Sequence, residues 1–360
     1  MERPKVIIAQ NLEQELSKSI SECQPDRRFV LVDETTERLC LPVVEAFNCM
    51  NDVRRIVIPA GDSYKNMESI AHVWSELQRQ GATRHSLLIN LGGGMVTDLG
   101  GFAASTFKRG ISFINIPTTL LSMVDASVGG KTGINFGGLK NEIGVFRNAD
   151  CVILDTQFLK TLDRENVLSG YAEMLKHGLI STNQHWAELL SSSLERSVLS
   201  GGSEQSRTDS VEFAALIETS VSVKQRIVLE DPTEHGLRKA LNLGHTIGHA
   251  FESFALKCCP VLHGYAVAHG LVAALYMSVV AKGFPTEIMR QVVAYIRDNY
   301  GRPDITCDDY PQLLQLMQHD KKNTAGHINF TLLSAVGQPL INQQLPETDI
   351  LDSLDFLREG

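Results

Sequence analysis

Residues 86–101 have the sequence SLLINLGGGMVTDLGG, and this stretch decides the fold. The run SLLINL is apolar nearly throughout, which is typical of a β-strand covered on both faces. The glycines after it favour a tight turn into a helix, whose N-terminus can face a pyrophosphate. The dinucleotide fingerprint GxGxxG would begin at Gly92 and Gly94, but Thr97 replaces its third glycine. The stretch therefore predicts a strand, a turn and a helix, with either a variant nucleotide-binding loop or a plain tight turn.

Other short runs rich in Val and Ile lie on both sides of this stretch. Between two of them, Met67, Ile70, Trp74 and Leu77 fall at helical spacing. Strands that alternate with helices predict a parallel, Rossmann-like α/β sheet. The predicted strands are KVIIA (5–9), RFVLVD (28–33), RRIVIP (54–59), SLLINL (86–91), ISFINIP (111–117) and CVILD (151–155).

The strand pattern fades after about residue 165. Residues 212–228 and 264–281 have the pattern of long helices, the second apolar enough to be a core helix, and Ser200–Gly202 is typical of a loop. One late strand pair is expected over 328–333 and 338–345. The second half is therefore predicted to be mainly α-helical.

Length and composition limit the number of domains and the class of protein. A chain of 360 residues is long enough for two domains, which we place at 1–165 and 166–360, with a site in the cleft between them. A net charge of −9 argues against a nucleic-acid-binding surface. Seven cysteines without a CxxC motif predict reduced thiols in the cytoplasm. We expect no signal peptide and no membrane-spanning segment.

Histidines in the second half have a spacing typical of metal ligands. His245 and His249 are four residues apart, His263 follows in LHGYAVAHG, and Glu173 lies upstream in GYAEMLKH. Two histidines and a glutamate often hold catalytic zinc. Spacing alone leaves open which two histidines bind, and Glu173 with His177 is a competing pair.

A glycine-rich segment, VDASVGGKTGINFGGLKN (124–141), carries cations in this acidic protein. The tripeptide GKT resembles the end of a P-loop, but Asp125 stands where that motif needs its first glycine, which argues against a nucleotide triphosphatase. We expect a flexible segment whose Lys131 and Lys140, with Arg109 upstream, form a phosphate or carboxylate subsite. A solvated loop is the alternative.

Further cations lie near the proposed metal ligands in the sequence. Lys176 follows Glu173 by three residues, and Arg238 precedes His245 by seven. If that segment is an α-helix, Arg238 and Asn242 point the same way, toward the metal. Lys224 and the lysines of DKK (320–322) complete this group.

Together these motifs resemble the dehydroquinate synthase family, in order and over nearly the whole chain. The segments that carry the resemblance are GGGMVTDLGGFAAS, RGISFINIPTTLLSMVDASVGGKTGIN, LKNEIGVF, GYAEMLKHGLI, GLRKALNLGHTIGHAFE and LHGYAVAHGL. The resemblance implies an N-terminal NAD-binding α/β domain, a helical C-terminal domain, a zinc or cobalt ion and a homodimer.

The resemblance also implies a reaction. The substrate would be 3-deoxy-D-arabino-heptulosonate 7-phosphate and the products 3-dehydroquinate and inorganic phosphate, in the shikimate pathway of aromatic amino acid biosynthesis. The implied steps are transient oxidation by NAD, phosphate elimination, re-reduction, ring opening and intramolecular aldol closure. The alternatives are another sugar-phosphate cyclase, a metal-dependent polyol dehydrogenase with net NADH production, or a non-catalytic NAD-binding protein.

The family motifs imply a role for each matching residue. The implied metal ligands are Glu173, His245 and His263, which leaves His249 as a polar active-site residue. The implied substrate pocket contains Asp125, Lys131, Lys140, Asn141, Lys176, Lys224, Arg238, Asn242 and His249, with Arg109, Lys321 and Lys322 on anionic groups of the substrate. The implied NAD contacts are Asp33, Asp62, Lys65, Gly94, Met95, Val96, Thr97, Asp98, Thr118, Thr119, Lys131, Lys140, Phe158, Leu159, Lys160 and Thr161.

Four positions depart from the family pattern. Asp62 stands where glutamate is usual, Tyr265 where glutamate is frequent and Glu142 where an apolar residue is common, and His269 is unusual. None of them removes an implied ligand or cation.

Overall fold

The computed structural model of the chain describes residues 5–137, 139–192, 204–256, 259–318 and 328–360. The chain forms two compact units, Met1–Asp163 and Arg164–Gly360. The boundary lies two residues before the predicted one. The predicted loop at Ser200–Gly202 lies outside the described residues.

The N-terminal unit is built on a six-stranded parallel sheet. Its strands are β1 (Val6–Ile8), β2 (Arg28–Asp33), β3 (Arg54–Ile58), β4 (Leu87–Gly92), β5 (Ser112–Pro117) and β8 (Cys151–Leu154). Their order in the sheet is β1-β8-β5-β4-β2-β3. All six predicted strands are confirmed. The buried residues of β2 and β4 occupy consecutive positions, which is typical of parallel strands covered on both faces.

Helices connect these strands as predicted. The predicted helix around Met67 runs from Met67 to Arg79, and Asn66 caps it by accepting from two backbone amides. Eight of the thirteen residues of the helix after the glycine turn are buried. The helices of this unit are α1 (Leu12–Cys23), α2 (Glu34–Leu39), α3 (Leu41–Glu45), α4 (Met67–Arg79) and α5 (Gly94–Thr106).

The glycine-rich segment differs from its prediction. In place of a flexible loop, β6 (Lys131–Phe136) and β7 (Leu139–Phe146) form an antiparallel hairpin. Thr132 and Ile134 of β6 are buried, and α5 packs against this strand. Most of the β7 residues that pair with β6, Ile143–Phe146, lie beyond the segment 124–141, so its own sequence pattern did not indicate the strand.

The C-terminal unit is mainly helical, as predicted. Both predicted long helices are confirmed, and the late strands pair antiparallel as β9 (Phe330–Ala335) and β10 (Gln338–Gln343). Its helices are α6 (Arg164–Leu179), α7 (Asn183–Ser191), α8 (Glu204–Glu230), α9 (His245–Ala255), α10 (His263–Lys282), α11 (Thr286–Tyr300), α12 (Tyr310–Gln318) and α13 (Glu347–Glu359).

Helix α10 corrects one expectation. It is long and apolar enough to cross a membrane, although the sequence was expected to contain no such segment. In the structure, however, 72% of its apolar 18-residue stretch is buried. The helices that pack around it are α6, α9, α11 and α13. An all-round apolar helix of this kind is the core helix of its unit.

Two glycines let the backbones of three helices approach closely. A Cβ on Gly264 of α10 would overlap the carbonyl oxygen of Ser169 on α6. A Cβ on Gly270 would overlap the carbonyl oxygen of Gly244, which precedes α9 and has a φ of +78°. Because these residues lack side chains, the start of α10 lies directly against both α6 and the start of α9. Each of these three helices carries one of the predicted metal ligands.

Candidate active site

Glu173, His245 and His263 come together although 90 residues of sequence separate the first from the last. Glu173 is fully buried on α6, His245 is the first residue of α9, and His263 is the first residue of α10. Oε1 of Glu173 lies 3.4 Å from Nε2 of His245 and 3.3 Å from Nε2 of His263. Both histidine nitrogens thus lie close to the same carboxylate oxygen.

This spacing fits a tetrahedral metal ion. Zinc bonds to nitrogen and oxygen are about 2.0–2.2 Å long, so neighbouring ligand atoms in a tetrahedron lie about 3.3 Å apart. The measured separations of 3.4 and 3.3 Å match that value. Three protein ligands leave a fourth position for substrate or water, which is the pattern of catalytic zinc sites.

The second oxygen of Glu173 contacts the Lys176 ammonium, one turn further along α6, and both side chains are buried. Burial alone would raise the pKa of Glu173, but Lys176 and His245 hold it well below its ordinary value. Glu173 is therefore an ionised ligand, with Oε1 directed at the histidines.

The two histidines differ in their protonation. Burial lowers the pKa of His245 to about 3. Burial would also lower the pKa of His263, but the carboxylates of Glu252 and Glu173 raise it to about 10. The neighbouring carboxylates thus favour the protonated form of His263, whereas burial disfavours that of His245.

His249 and His177 lie beside these three residues. A nitrogen of His249 is within 4.8 Å of nitrogens of both His245 and His263. The ring centroid of His249 is 5.2 Å from that of His245 and 5.8 Å from that of His263. His177 is fully buried one turn after Glu173, with a nitrogen within 4.8 Å of its carboxylate. The spacing argument singled out all of these residues, and the structure brings them together.

Sequence reasoning missed the groups that orient the two histidines. Nδ1 of His245 lies 3.1 Å from the carbonyl oxygen of Leu243. Nδ1 of His263 lies 3.2 Å from Oε2 of Glu252, which is 2% exposed. The only sequence signal for Glu252 is its place seven residues after His245, two turns along the same helix face.

Arg238 is 1% exposed, at the start of a segment that differs from the prediction. Leu237–Asn242 is a 3-10 helix, and α9 begins only after Gly244, so no continuous α-helix joins Arg238 to His245. The argument that residues four apart share a face therefore does not apply, because a 3-10 helix aligns residues three apart. The guanidinium instead donates to the carbonyl oxygen of Pro232 at 2.6 Å.

An acidic loop holds this 3-10 segment. The Asp231 carboxylate accepts from the backbone amides of His235, Gly236 and Arg238 at 2.7–3.0 Å. Burial would raise the pKa of Asp231, but these amides lower it. Nδ2 of Asn242 donates to Glu234 at 2.8 Å. The loop thus fixes two predicted substrate residues, Arg238 and Asn242.

Of the remaining predicted cations of the C-terminal unit, the structure describes only Lys224. Lys224 is 6% exposed on α8, and α8 packs against the 3-10 segment Leu237–Asn242. Lys321 and Lys322 lie outside the described residues.

In the N-terminal unit, several of the predicted NAD residues lie at the carboxyl ends of adjacent strands. The chain continues from β2 to β3 on one side and from β4 to β5 on the other, so the strand order reverses between β2 and β4. Asp33 ends β2, Gly92 ends β4, and Thr118 follows β5 and donates its amide to the Gly92 carbonyl at 3.0 Å. Ligands of open α/β sheets bind at this kind of switch point.

The glycine turn has the geometry that the sequence predicted. Strand β4 ends at Gly92, Gly93 is the N-cap, and α5 begins at Gly94. The helix N-terminus therefore lies at the switch point, where its backbone amides can donate hydrogen bonds to an anion. Gly94–Asp98, with Met95, Val96 and Thr97, form the first turns of α5, and the Cβ of a substituted Gly93 would lie 3.1 Å from Thr119.

Asp33 also has a structural role. Its Oδ1 accepts from the backbone amide of Thr36 at 2.7 Å, which caps α2. A carboxylate at this position is a common N-cap of a helix. One carboxylate oxygen is thus used in the cap, and the NAD contact of Asp33 stays a prediction.

Lys65 links a predicted NAD contact, Asp98, to a predicted substrate contact, Asn141. The ammonium is buried between the Asp98 carboxylate, on α5, and Oδ1 of Asn141, on the hairpin. Lys140 pairs with Asp62 at 3.1 Å. Asp62 thus retains a cationic partner despite being shorter than the usual glutamate.

Asn135, which sequence reasoning did not select, links these same residues. Its Nδ2 lies 3.2 Å from the carbonyl oxygen and 3.3 Å from Oδ2 of Asp62. Its Oδ1 accepts from the backbone amide of Asn141 at 3.0 Å, and its own backbone amide donates to the carbonyl oxygen of Lys65 at 2.7 Å. Asn141 has a φ of +53°, so this bond holds the residue in a left-handed conformation.

Other predicted residues of this unit lie elsewhere in it. Phe158–Thr161 form part of the 3-10 segment Thr156–Thr161, in which Phe158 and Leu159 are buried and Lys160 is exposed. Asp125 is in a π-helical turn, Ser122–Ala126, and Lys131 begins β6. Arg109 is exposed in a cavity of about 500 Å³, whose other lining residues are Arg84, Thr106 and Lys108.

The structure accounts for two unusual residues. Tyr265 packs edge-on against Tyr300, with ring centroids 5.1 Å apart. His269 is 4% exposed and packs edge-on against Phe251 at 5.5 Å. Both residues therefore contribute to packing around α10. Glu142 is exposed on β7, where a charged side chain is tolerated.

Two family models match adjacent parts of the chain. The model of the 3-dehydroquinate synthase N-terminal domain matches residues 55–169, and that of the C-terminal domain matches residues 170–323. The chain belongs to the 3-dehydroquinate synthase family. A 3-dehydroquinate synthase from Parabacteroides distasonis is 51% identical over 364 residues, covering 100% of this chain and 99% of that relative.

Solved structures of two synthases share the fold. A 2-epi-5-epi-valiolone synthase from Streptomyces hygroscopicus, with NAD+ and Zn2+ bound, has a TM-score of 0.86 at 24% identity and covers 99% of this chain and 97% of its own. A 2-deoxy-scyllo-inosose synthase complexed with carbaglucose-6-phosphate, NAD+ and Co2+ has a TM-score of 0.81 at 22% identity, covering 99% and 96%.

The matches confirm the predicted 3-dehydroquinate synthase family and its lyase activity. The observed sheet and helical unit, with these structural neighbours, also confirm the predicted fold class.

Proposed function

We propose that this member of the 3-dehydroquinate synthase family converts 3-deoxy-D-arabino-heptulosonate 7-phosphate to 3-dehydroquinate and phosphate, with NAD and a divalent metal ion bound. The observation that carries the metal dependence is the convergence of Glu173, His245 and His263 at tetrahedral spacing. When bound, NAD supplies a reversible two-electron acceptor and the metal a Lewis acid.

The residues of the C-terminal unit fit zinc or cobalt and an anionic substrate. Glu173, His245 and His263 would hold the metal, with Lys176 neutralising the second oxygen of Glu173. Arg238 presents a planar cation suited to a phosphate or carboxylate. His249 lies next to both ligand histidines and would hold or move a proton of the substrate.

The residues of the N-terminal unit fit NAD. The glycine turn and the first turns of α5 would bind the pyrophosphate, because the free backbone amides of the helix N-terminus lie at the switch point of the sheet. Asp33, Asp62 and Lys65 would bind polar groups of the dinucleotide. Thr118 and Thr119 border this turn. The remaining implied NAD contacts, including Lys131, Lys140 and Phe158–Thr161, and the implied substrate contacts of Asp125, Lys131, Lys140, Asn141, Lys224 and Asn242 are part of the same proposal.

The deciding experiment follows phosphate and NADH together. The purified protein is incubated with the heptulosonate phosphate, zinc and a trace of NAD. We expect the phosphate released to exceed total NAD many times over, without a lasting rise in NADH absorbance, because the cofactor returns to its oxidised form. One NADH per turnover would identify a dehydrogenase instead. Phosphate release from other sugar phosphates alone would identify another cyclase.

We also propose a cytoplasmic homodimer. The support for the compartment is that the cysteines within the described residues are free thiols. The support for the dimer is the family resemblance. Light scattering during size-exclusion chromatography gives the mass directly, and a mass near 39.7 kDa would show a monomer.

A further inference from the structure

The Glu252 carboxylate lies next to the proposed metal centre without facing the metal position. Glu252 is on α9, and its Oε2 lies 3.2 Å from Nδ1 of His263. The opposite nitrogen of that ring, Nε2, faces Oε1 of Glu173 at 3.3 Å. Since Glu252 is 2% exposed, little water competes for this contact.

Both ligand histidines are held in the same way. Nδ1 of His245 faces the carbonyl oxygen of Leu243 at 3.1 Å, as Nδ1 of His263 faces Glu252. A neutral imidazole carries one proton, and an acceptor beside Nδ1 keeps that proton there. Each Nε2 lone pair then points to the space in front of Glu173, where a metal would bind.

Glu252 differs from Leu243 because it carries a charge. A carboxylate that accepts from a ligand imidazole makes the imidazole a stronger electron donor. It also adds a negative charge close to a divalent cation. Because α9 supplies both His245 and Glu252, seven residues apart, one helix presents a ligand and also orients the ligand of its neighbour.

We propose that Glu252 is a positioning residue of the metal centre, which holds His263 with Nε2 free for the metal and strengthens metal binding. This inference rests on the metal dependence in the proposed function. It assigns Glu252 no contact with substrate, cofactor or metal.

The test compares Glu252→Gln with Glu252→Ala. The Gln variant is nearly isosteric and its amide oxygen can still accept from Nδ1, so it removes the charge and keeps the orientation. The Ala variant removes both. Zinc affinity of the metal-free proteins is measured by competition with a chelator, and the Co2+-loaded proteins are compared by visible absorption spectroscopy.

We expect Glu252→Gln to weaken zinc binding about tenfold and Glu252→Ala up to about 100-fold, the range for removal of a carboxylate that supports a ligand histidine. The Co2+ spectrum of Glu252→Ala should also change, because His263 is free to rotate. A merely structural role would lower the melting temperature and leave both readouts at wild-type values, and that result would overturn the proposal. If Glu252→Ala does not fold, Glu252→Gln alone decides.

Ser220→Ala is the matched control. Ser220 is buried on α8, and its Oγ lies 3.0 Å from Nε2 of His185, so this variant also deprives a buried histidine of its partner. We expect reduced stability with unchanged zinc affinity. His245→Ala gives the zinc affinity expected after the loss of a metal ligand. If the wild-type protein itself binds neither Zn2+ nor Co2+, the proposed function fails; if it binds them and the Glu252 variants bind equally well, only this inference fails.

Discussion

The backbone of Gly264 packs directly against that of Ser169. The amide of Gly264 donates to Oγ of Ser169 at 3.1 Å, and the carbonyl oxygen of Ser169 fills the space that a Cβ on Gly264 would need. This contact sets the distance between α6 and α10. His263 precedes Gly264, and Glu173 follows Ser169 by one turn, so the same contact brings two proposed metal ligands together.

Gly264→Ala should therefore separate the ligands. We expect a loss of about 1–3 kcal/mol in the free energy of unfolding, typical of overpacking, together with reduced zinc content after purification. Urea denaturation and metal analysis measure the two effects. Ser169→Ala is the control, since it removes one hydrogen bond without adding volume and should cost about 1 kcal/mol. Full zinc occupancy in Gly264→Ala would show that the site tolerates a wider spacing.

His245 and His249 should behave differently although they are one turn apart. His245→Ala should lose both metal and activity, because Nε2 of His245 is one of the converging atoms. His249→Ala should retain metal and lose turnover. Metal analysis and phosphate release distinguish the two variants. Stoichiometric zinc in His245→Ala would contradict the proposed ligand set and favour His249 or His177 in its place.

Arg238→Lys tests the recognition of an anion. Lysine keeps the charge but cannot reproduce a bidentate contact. A charge-assisted hydrogen bond is worth about 1.5–3 kcal/mol, so kcat/KM should fall roughly 10- to 150-fold. NAD and zinc binding should stay near wild type. If kcat/KM of both Arg238→Lys and Arg238→Ala stays within about twofold of the wild-type value, Arg238 does not bind the substrate. Its role would then be structural, as in its contact with Pro232.

The sequence predicted the strands and long helices well because each depends on a local apolar pattern. The four inner strands of the parallel sheet, β2, β4, β5 and β8, are apolar runs, and their burial on both faces explains that pattern. The hairpin was not predicted, since the segment 124–141 is glycine-rich as a whole, and Lys131–Phe136 becomes a strand only by pairing with Leu139–Phe146. The helical geometry at Arg238 was wrong because Gly244, in a left-handed conformation, separates that segment from α9.

In the candidate site, too, local motifs were predictable from the sequence and non-local contacts were not. Motifs indicated Glu173, His245 and His263, but their convergence depends on Gly264 and Gly270, whose contacts are non-local. Glu252 and Asn135 were missed because their partners lie elsewhere in the chain: Glu252 contacts a residue of the next helix, and Asn135 contacts Asp62, 73 residues earlier.

Asn135→Ala should weaken NAD binding without removing any proposed NAD contact. The variant loses the side-chain bonds to Asp62 and to the Asn141 amide, each worth about 1 kcal/mol. We expect about tenfold weaker NAD affinity, measured by calorimetry. Asn299→Ala is the matched control, because this asparagine bonds to Arg164 and Tyr295 in the C-terminal unit. Equal NAD affinity in both variants would show that Asp62 and Asn141 need no support from Asn135.

The last prediction concerns acid stability and His269, which is buried against Phe251. Burial lowers the pKa of His269 from its ordinary value of 6.5 to about 4, against an opposing effect of backbone groups of Gly301 and Tyr300. The folded protein therefore binds the proton less well than the unfolded chain does. Stability from this residue is fully present above pH 6.5 and is lost as the pH falls toward 4.

The size of the effect follows from the same two pKa values. A pKa of about 4 in place of 6.5 corresponds to roughly 3 kcal/mol over the whole range. His269→Phe keeps an aromatic ring against Phe251 and cannot titrate. Between pH 7 and pH 4.5, its free energy of unfolding should therefore fall by roughly 2 kcal/mol less than that of the wild type. Urea denaturation at both pH values gives this difference, and other titrating groups, such as His185, cancel because both proteins contain them. Equal losses in the two proteins would mean that His269 titrates normally in the folded state, and acid sensitivity would then have to come from other buried groups.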